Sequence, residues 1–310
     1  MLCLLVNPSA GGGRALRRLP AIHAALAEHG LAVLRTATTR SLAHARELAG
    51  AAGAAGETVV AIGGDGLIGA VAWALADHPQ ARLGIIPGGR GNDLARVLGI
   101  PTEPRAACAV LAAGRSAPLD LGEVVWDGPD GAEQRSEFVG IASVGFDSEA
   151  NRIANAAPSW LGGLVYAYGA LRALVRWRPA TFDLRLDGAS PARYRGYSVA
   201  AANSRAYGGG MLLAPDALLD DGRLDIVVIE QMSRLRYLSR LPSVFRGTHT
   251  ALPEINVLRA GEVEIAGDRP MTLYADGDPV AALPVRVRVR RHAVNVIVPA
   301  SWPGVRTPAG

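Results

Sequence analysis

Two aspartates flank one glycine in the stretch LYADGDPV, Asp276 and Asp278. Carboxylates at this spacing suit proton transfer: one reaches an acceptor hydroxyl while the other stays beside it or beside a metal. An Asp-Gly hairpin turn is the alternative reading of the same residues. Near the other end of the chain, VVAIGGDGLIGAV (residues 59–71) runs from a β-branched stretch into Gly63, Gly64, Asp65 and Gly66 before apolar spacing resumes. Glycine carries no Cβ, so the backbone there approaches a ligand closely, and the following helix presents free N–H groups to an anion. Asp65 adds a carboxylate for a ribose hydroxyl or a phosphate-bound metal.

Two further glycine-rich turns end strand-like runs in the same half. VNPSAGGGR (6–14) offers Asn7 and Ser9 with Gly11 to Gly13, and IIPGGRGNDLAR (85–96) offers Gly88, Gly89 and Gly91 with Asn92 or Asp93 placed to cap a helix. Three such turns converging on one sheet edge point to a nucleotide site rather than to three unrelated tight turns.

Charge narrows the chemistry further. The net charge is +4, yet every basic side chain is arginine and lysine is absent. This excludes a GxxxxGK[ST] phosphate loop and a lysine Schiff base, so a phosphate cradle must use backbone N–H groups and arginine. The arginines are spread over both halves, aromatic residues make up only 5%, and VRVRVRRH alternates like a half-buried strand, so no nucleic-acid partner is expected. MLCLLVNP has no basic region ahead of its apolar residues and reads as a first strand, and Cys3 and Cys108 lack metal or disulfide spacing. A cytoplasmic setting is the expectation.

The elements that must position these groups fall into two grammars. Up to about residue 119, strand-like and helix-like segments alternate: LCLLV, RALRRLPAIHAALAEHG, LAVLRTAT, SLAHARELAGAAGAAG, TVVAI, a helix from Leu67, RLGIIP and NDLARVLG. This predicts an α/β domain with a doubly wound parallel sheet whose strand C-termini form the ligand crevice. From about Leu119 the runs are strands separated by Asp-Gly turns, which predicts a mostly antiparallel β domain. The expected domains are 1–119 and 120–310, with the last strand near 293–299 returning to the first.

NPSAGGG, GGDG, GIIPGGRGNDLARVLGIP, NSRAYGGGMLLAPDALLDDGRLDIVVI and DGD, in this order, resemble the motifs of the diacylglycerol kinase and sphingosine kinase catalytic family, above all its soluble bacterial lipid kinases. The resemblance spans residues 2–299. It implies a phosphofructokinase-like nucleotide domain, a C-terminal β-sandwich carrying a lipid site, and transfer of the ATP γ-phosphate to a hydroxyl of diacylglycerol or a related lipid in the cleft between them. It sets ATP against Asn7, Ser9, Gly11, Thr39, Gly64, Asp65 and Gly66, with Gly91, Asn92 and Asp93 also facing the nucleotide. It sets a structural Mg2+ on Leu218, Asp221 and Arg223, the first and last through backbone carbonyls, and makes Asp278 the proton acceptor where the family usually has glutamate. A homodimer is the expected assembly, and peripheral contact with the inner membrane face is the expected route to the lipid. APSWLGGLVYAYGALRALVRWRP (157–179), which mixes aromatic residues with arginine, is the expected lipid-access region.

The chain departs from the family pattern in the phosphate turns. Leu67 stands where the family has threonine, Gly69 and Ala70 where it has an Asn-Glu pair, and Arg90 where it has the threonine of a Gly-Thr-Gly-Asn-Asp turn. Arg90 is expected to compensate through bidentate contacts to β- or γ-phosphate oxygens. A kinase of a soluble acceptor, as NAD kinases share GGDG, and a nucleotide- or lipid-binding protein without catalysis are the alternative readings.

Overall fold

Strands β1 (Leu2–Val6), β2 (Val33–Thr38), β3 (Thr58–Gly63) and β4 (Arg82–Pro87) pair in parallel in the order β4-β3-β1-β2 in this computed structural model, which describes residues 1–155, 169, 172–173 and 177–304. β1 and β3 are buried at every position, which is why they read as unbroken apolar runs, whereas β2 is largely exposed at the sheet edge. The intervening helices are α1 (Arg14–Arg17), α2 (Leu19–Glu28), α3 (Leu42–Ala54), α4 (Asp65–Leu75), α5 (Asp93–Val97) and α6 (Pro104–Ala113). α3 starts where Ser41 Oγ accepts the His44 N–H, and α6 where the Glu103 carboxylate accepts the N–H groups of Arg105 and Ala106. α2 packs on α6 and α3 on α4.

The second half pairs antiparallel: β5 (Ser116–Asp127), β6 (Glu133–Phe138), β7 (Ile141–Gly145), β8 (Ala180–Leu186), β9 (Ala192–Ala202), β10 (Leu224–Glu230), β11 (Ile255–Ala260), β12 (Glu262–Gly267), β13 (Thr272–Ala275) and β14 (Asp278–Ala282). Their inner faces close a core of Phe182, Leu184, Val199, Ile226, Val263 and Leu273, the arrangement of an antiparallel β-sandwich. A separate cluster gathers Phe146 of α7 (Phe146–Asn155), Tyr197 and Tyr237 of α8 (Arg234–Val244), with Tyr197 stacked on Tyr237 at 4.6 Å. The expected lipid-access region 157–179 lies outside the described residues except at 169, 172–173 and 177–179. Trp177 packs edge-on against Phe146 at 6.3 Å.

β15 (Val285–Ile297) joins the two halves. Its first part pairs with β12 through Arg288 and Glu262, its last part lies parallel to β4 through Asn295 and Arg82, and β5 accompanies it along both. The expected border at residues 119–120 thus falls inside β5, one continuous strand. The β5–β15 register slips between Arg290 and Val294, where His292 has φ +49°. The fully buried Asp120 carboxylate holds that kink, accepting the His292 N–H at 2.7 Å and the Gly222 N–H at 2.7 Å.

At the C-terminal ends of the parallel strands the glycine turns touch one another. A Cβ added to Gly89 would lie 2.5 Å from Gly64 Cα, and one added to Gly11, at φ +59°, would lie 2.6 Å from Gly88 O. Gly88 N also donates to Gly63 O at 2.7 Å. Gly89→Ala is therefore expected to force the two turns apart, lowering stability by about 1–3 kcal/mol, read as a drop in midpoint in urea unfolding.

Candidate active site

The residues expected to face a nucleotide gather at this end, and several of their side chains shape the turns. Asn7 Oδ1 accepts the Ser9 N–H at 3.0 Å, Thr39 is buried with its hydroxyl donating to Val6 O at 3.3 Å, and Asn92, at φ +50°, bonds both the N–H and the C=O of Gly89. Available to a ligand there are the exposed Ser9 hydroxyl and the backbone N–H groups of the turn glycines. Arg90 is exposed and makes no hydrogen bond or ion pair with the described residues. Leu67 turns into the core at 2% exposure, so it fills space behind the turn, where the family's threonine would bring a hydroxyl. Behind the turns a cavity of about 750 Å³ opens beside α1, α2 and α6. Two of its three arginines are engaged, Arg14 Nε with Gly11 O at 2.9 Å and Arg105 with Glu28.

A second cavity, of about 340 Å³, lies where the halves meet and collects Asp65 and Gly66 from the first with Asp276 and Asp278 from the second. Asp65 opens α4; burial pushes its carboxyl up, the neighbouring Asp93 adds to this, and the amides of Leu94, Asp93 and Asn92 oppose it. Asp278 begins β14 and is exposed, open to a ligand. Asp276 differs from the catalytic role expected of it. It is held at φ +49° with Oδ2 accepting the Val139 N–H at 2.8 Å and Oδ1 accepting those of Gly140 and Ile141 at 2.9 and 3.1 Å. A carboxylate committed to three amides anchors β13 to β7 and aims the hairpin that carries Asp278; it is a positioning residue.

Four residues of this cavity escaped the sequence reading. Arg46 lies over the Trp73 ring at 3.6 Å, and burial lowers its pKa while the charges of Asp278 and Glu137 act against that. Glu137 is bound at Oε1 by Arg290 Nη1 at 2.5 Å, with Oε2 buried and unpartnered among the described residues. Trp126 completes the wall. None belongs to a glycine motif; Arg46 sits in an alanine-rich helix and Glu137 in a polar strand, positions that only the packing of α3, α4 and β6 brings together.

Asp93 ties the halves. Its Oδ1 accepts Arg96 Nη1 at 3.0 Å and its Oδ2 accepts the Gly209 N–H at 2.8 Å, so the Gly91-Asn92-Asp93 turn holds the YGGGM turn of the sandwich. Arg205 Nη2 adds a bond to Val97 O at 3.0 Å.

Leu218, Asp221 and Arg223, expected to hold a structural Mg2+ through two carbonyls and one carboxylate, lie away from the cleft cavity. Asp221 Oδ1 accepts the Arg223 N–H at 3.0 Å and Oδ2 is ion-paired to Arg259, so both carboxylate oxygens are engaged. The described residues contain no cluster of three or more His, Cys, Asp or Glu side chains suited to a metal.

Comparison with known proteins agrees with this architecture. Residues 1–124 match the diacylglycerol kinase catalytic domain, and residues 140–298 match the YegS C-terminal NAD kinase beta sandwich-like domain. The chain is 36% identical over 300 residues to a Mycobacterium tuberculosis diacylglycerol kinase, covering 95% of this chain and 94% of that one. In fold it is similar to a crystal structure of a diacylglycerol kinase from Bacillus anthracis (TM-score 0.74, 20% identity, 97% of each chain). It is similar in fold also to an NAD kinase from Archaeoglobus fulgidus in complex with ATP (TM-score 0.51, 15% identity, 96% of this chain and 93% of that one). The chain belongs to the diacylglycerol kinase family and is a lipid kinase. Among the described residues no helix is long and apolar enough to cross a membrane.

Two measurements follow from the carboxylates. Asp276→Ala leaves three amides without their carboxylate acceptor and is expected to cost about 1–3 kcal/mol, whereas Asp278→Ala changes stability by less than about 0.5 kcal/mol; urea unfolding compares them. Burial pushes Glu137 up to about 6, against the Arg290 charge and with those of Glu123 and Asp77. The folded state thus keeps a proton that the unfolded state releases, and stability is lost as pH rises from 4.5 to about 6. Glu137→Gln does not titrate, so its stability relative to wild type should rise by roughly 2 kcal/mol across that window.

Proposed function

We propose that the protein transfers the γ-phosphate of MgATP to a hydroxyl of diacylglycerol or a closely related lipid. The observation that carries the reading is the shared cavity in which Asp65, at the glycine-turn end of the parallel strands, meets Asp278 of the sandwich. The backbone N–H groups of the three turns bind the phosphate chain, and magnesium arrives with the nucleotide as part of the substrate. Asp278 accepts the proton of the acceptor hydroxyl as its oxygen bonds to the γ-phosphorus and the β–γ bridge breaks, leaving ADP and the lipid phosphate. In a loose phosphoryl-transfer transition state, positioning and charge stabilisation dominate over base strength, so an aspartate one methylene shorter than glutamate suffices. Arg46, beside Asp278 and stacked on Trp73, supplies cationic charge in a chain without lysine; Arg90, exposed on its turn, is free to swing to phosphate oxygens.

The lipid is reached at an anionic membrane surface through α8. Leu235 is 82% exposed and Phe245 58%, and Arg234, Arg236, Arg240 and Arg246 stand among them with no acidic residue from 231 to 253. Only Arg236 is ion-paired within the described residues, to Glu254 at 2.8 Å. Apolar side chains beside unpaired guanidinium groups suit a headgroup region of negative charge.

Transfer of labelled γ-phosphate into organic-extractable product, from MgATP to micelles holding a panel of lipid hydroxyls, tests the activity. Label is expected in a glycerolipid, with Asp278→Asn lowering turnover by a factor of about 100 or more while nucleotide affinity is kept. Label absent from every lipid but present on a soluble acceptor would overturn the reading. Arg240→Glu is expected to weaken binding to phosphatidylglycerol vesicles by roughly tenfold or more, since it removes one attractive charge and adds a repelled one, each worth about 1 kcal/mol; co-sedimentation measures it.

A further inference from the structure

The loop after Leu218 carries Asp221 and leads into β10, where Asp225 lies. Asp225 on β10 is only 4% exposed. A buried carboxylate needs a counter-cation to stay ionised. The β10–β11 register sets Arg259 directly opposite Asp225. Its Nε lies 3.2 Å from Asp225 Oδ1 and its Nη2 is bound to Asp221 Oδ2, so one guanidinium bridges both carboxylates. The remaining Asp221 oxygen accepts the Arg223 N–H, the Arg223 guanidinium is 3.2 Å from Asp187 Oδ2, and the Asp120 carboxylate pins Gly222.

We infer that Arg259 is the built-in cation of this loop, taking the place that the family resemblance gives to a divalent metal, so that the loop between Leu218 and Asp225 folds without metal. A planar fork of N–H donors satisfies two carboxylates at once, as a hard divalent ion would through oxygen ligands, and together with the Arg223 N–H it engages both Asp221 oxygens. The inference concerns the loop alone and holds whichever acceptor the enzyme uses.

Thermal unfolding of the full chain without nucleotide, in EDTA and in millimolar Mg2+, tests it. Wild-type Tm is expected to be the same in both. Arg259→Gln is expected to unfold several degrees lower in EDTA and to regain stability with Mg2+, a gain that the double variant with Asp221→Asn loses. Independently of how Arg259→Gln folds, Mn2+ titration followed by electron paramagnetic resonance is expected to find no stoichiometric site in nucleotide-free wild type. A wild-type Tm that falls on chelation, a stoichiometric Mn2+ site that Asp221→Asn abolishes, or a folded Arg259→Gln whose Tm ignores magnesium would each overturn it.

Discussion

Backbone touching backbone at the glycine turns is the constraint on which the rest of the site depends. With Gly64 against Gly89 and Gly11 against Gly88 O, the ends of β1, β3 and β4 are locked at separations that no side chain would permit. This fixes three sets of N–H groups at one edge, where a phosphate chain can meet them together. The same closeness suits Asn7, Thr39 and Asn92, whose side chains bond to backbone and hold the turns shut.

The second constraint is continuity between the halves. β5 and β15 run unbroken through both, Asp120 holds the kink of β15, and Asp93 bonds to Gly209 across the cleft. Two long strands and an anchored carboxylate limit how the cleft can open, and Asp276 limits how Asp278 is aimed. Catalysis by positioning requires this rigidity, because in phosphoryl transfer the protein contributes placement and charge more than covalent chemistry.

The chain solves its charge problem with arginine alone. Arg46 lies among acidic groups in the cleft, Arg290 joins Glu137 to Asp77, Arg288 pairs with Glu123, and Arg259 bridges Asp221 and Asp225. A guanidinium stays charged under burial and engages two carboxylates at once, where an ammonium would give up its proton more readily. Gly69 and Ala70, which stand where the family has polar residues, leave one wall of the cleft without polar side chains, and Arg46 and Glu137 bring charge to it from other elements.

Much of this was legible in the residues themselves. Unbroken apolar runs ending in glycine specify buried parallel strands with phosphate turns, because only glycine accepts those contacts and positive φ values; the later Asp-Gly punctuation specifies antiparallel hairpins. Local order also singled out Asp65 and Asp278, which line one cavity. What only the tertiary structure decided is how side chains far apart in sequence share their hydrogen bonds. DGD presents two equivalent aspartates, and the amides of Val139, Gly140 and Ile141 make one an anchor and leave the other open. DDGRLD presents a plausible cation loop, and the register of β10 on β11 delivers a guanidinium to it. Spacing along a chain records which groups exist, whereas the partner each group finds depends on strand register and domain packing, which no local pattern encodes.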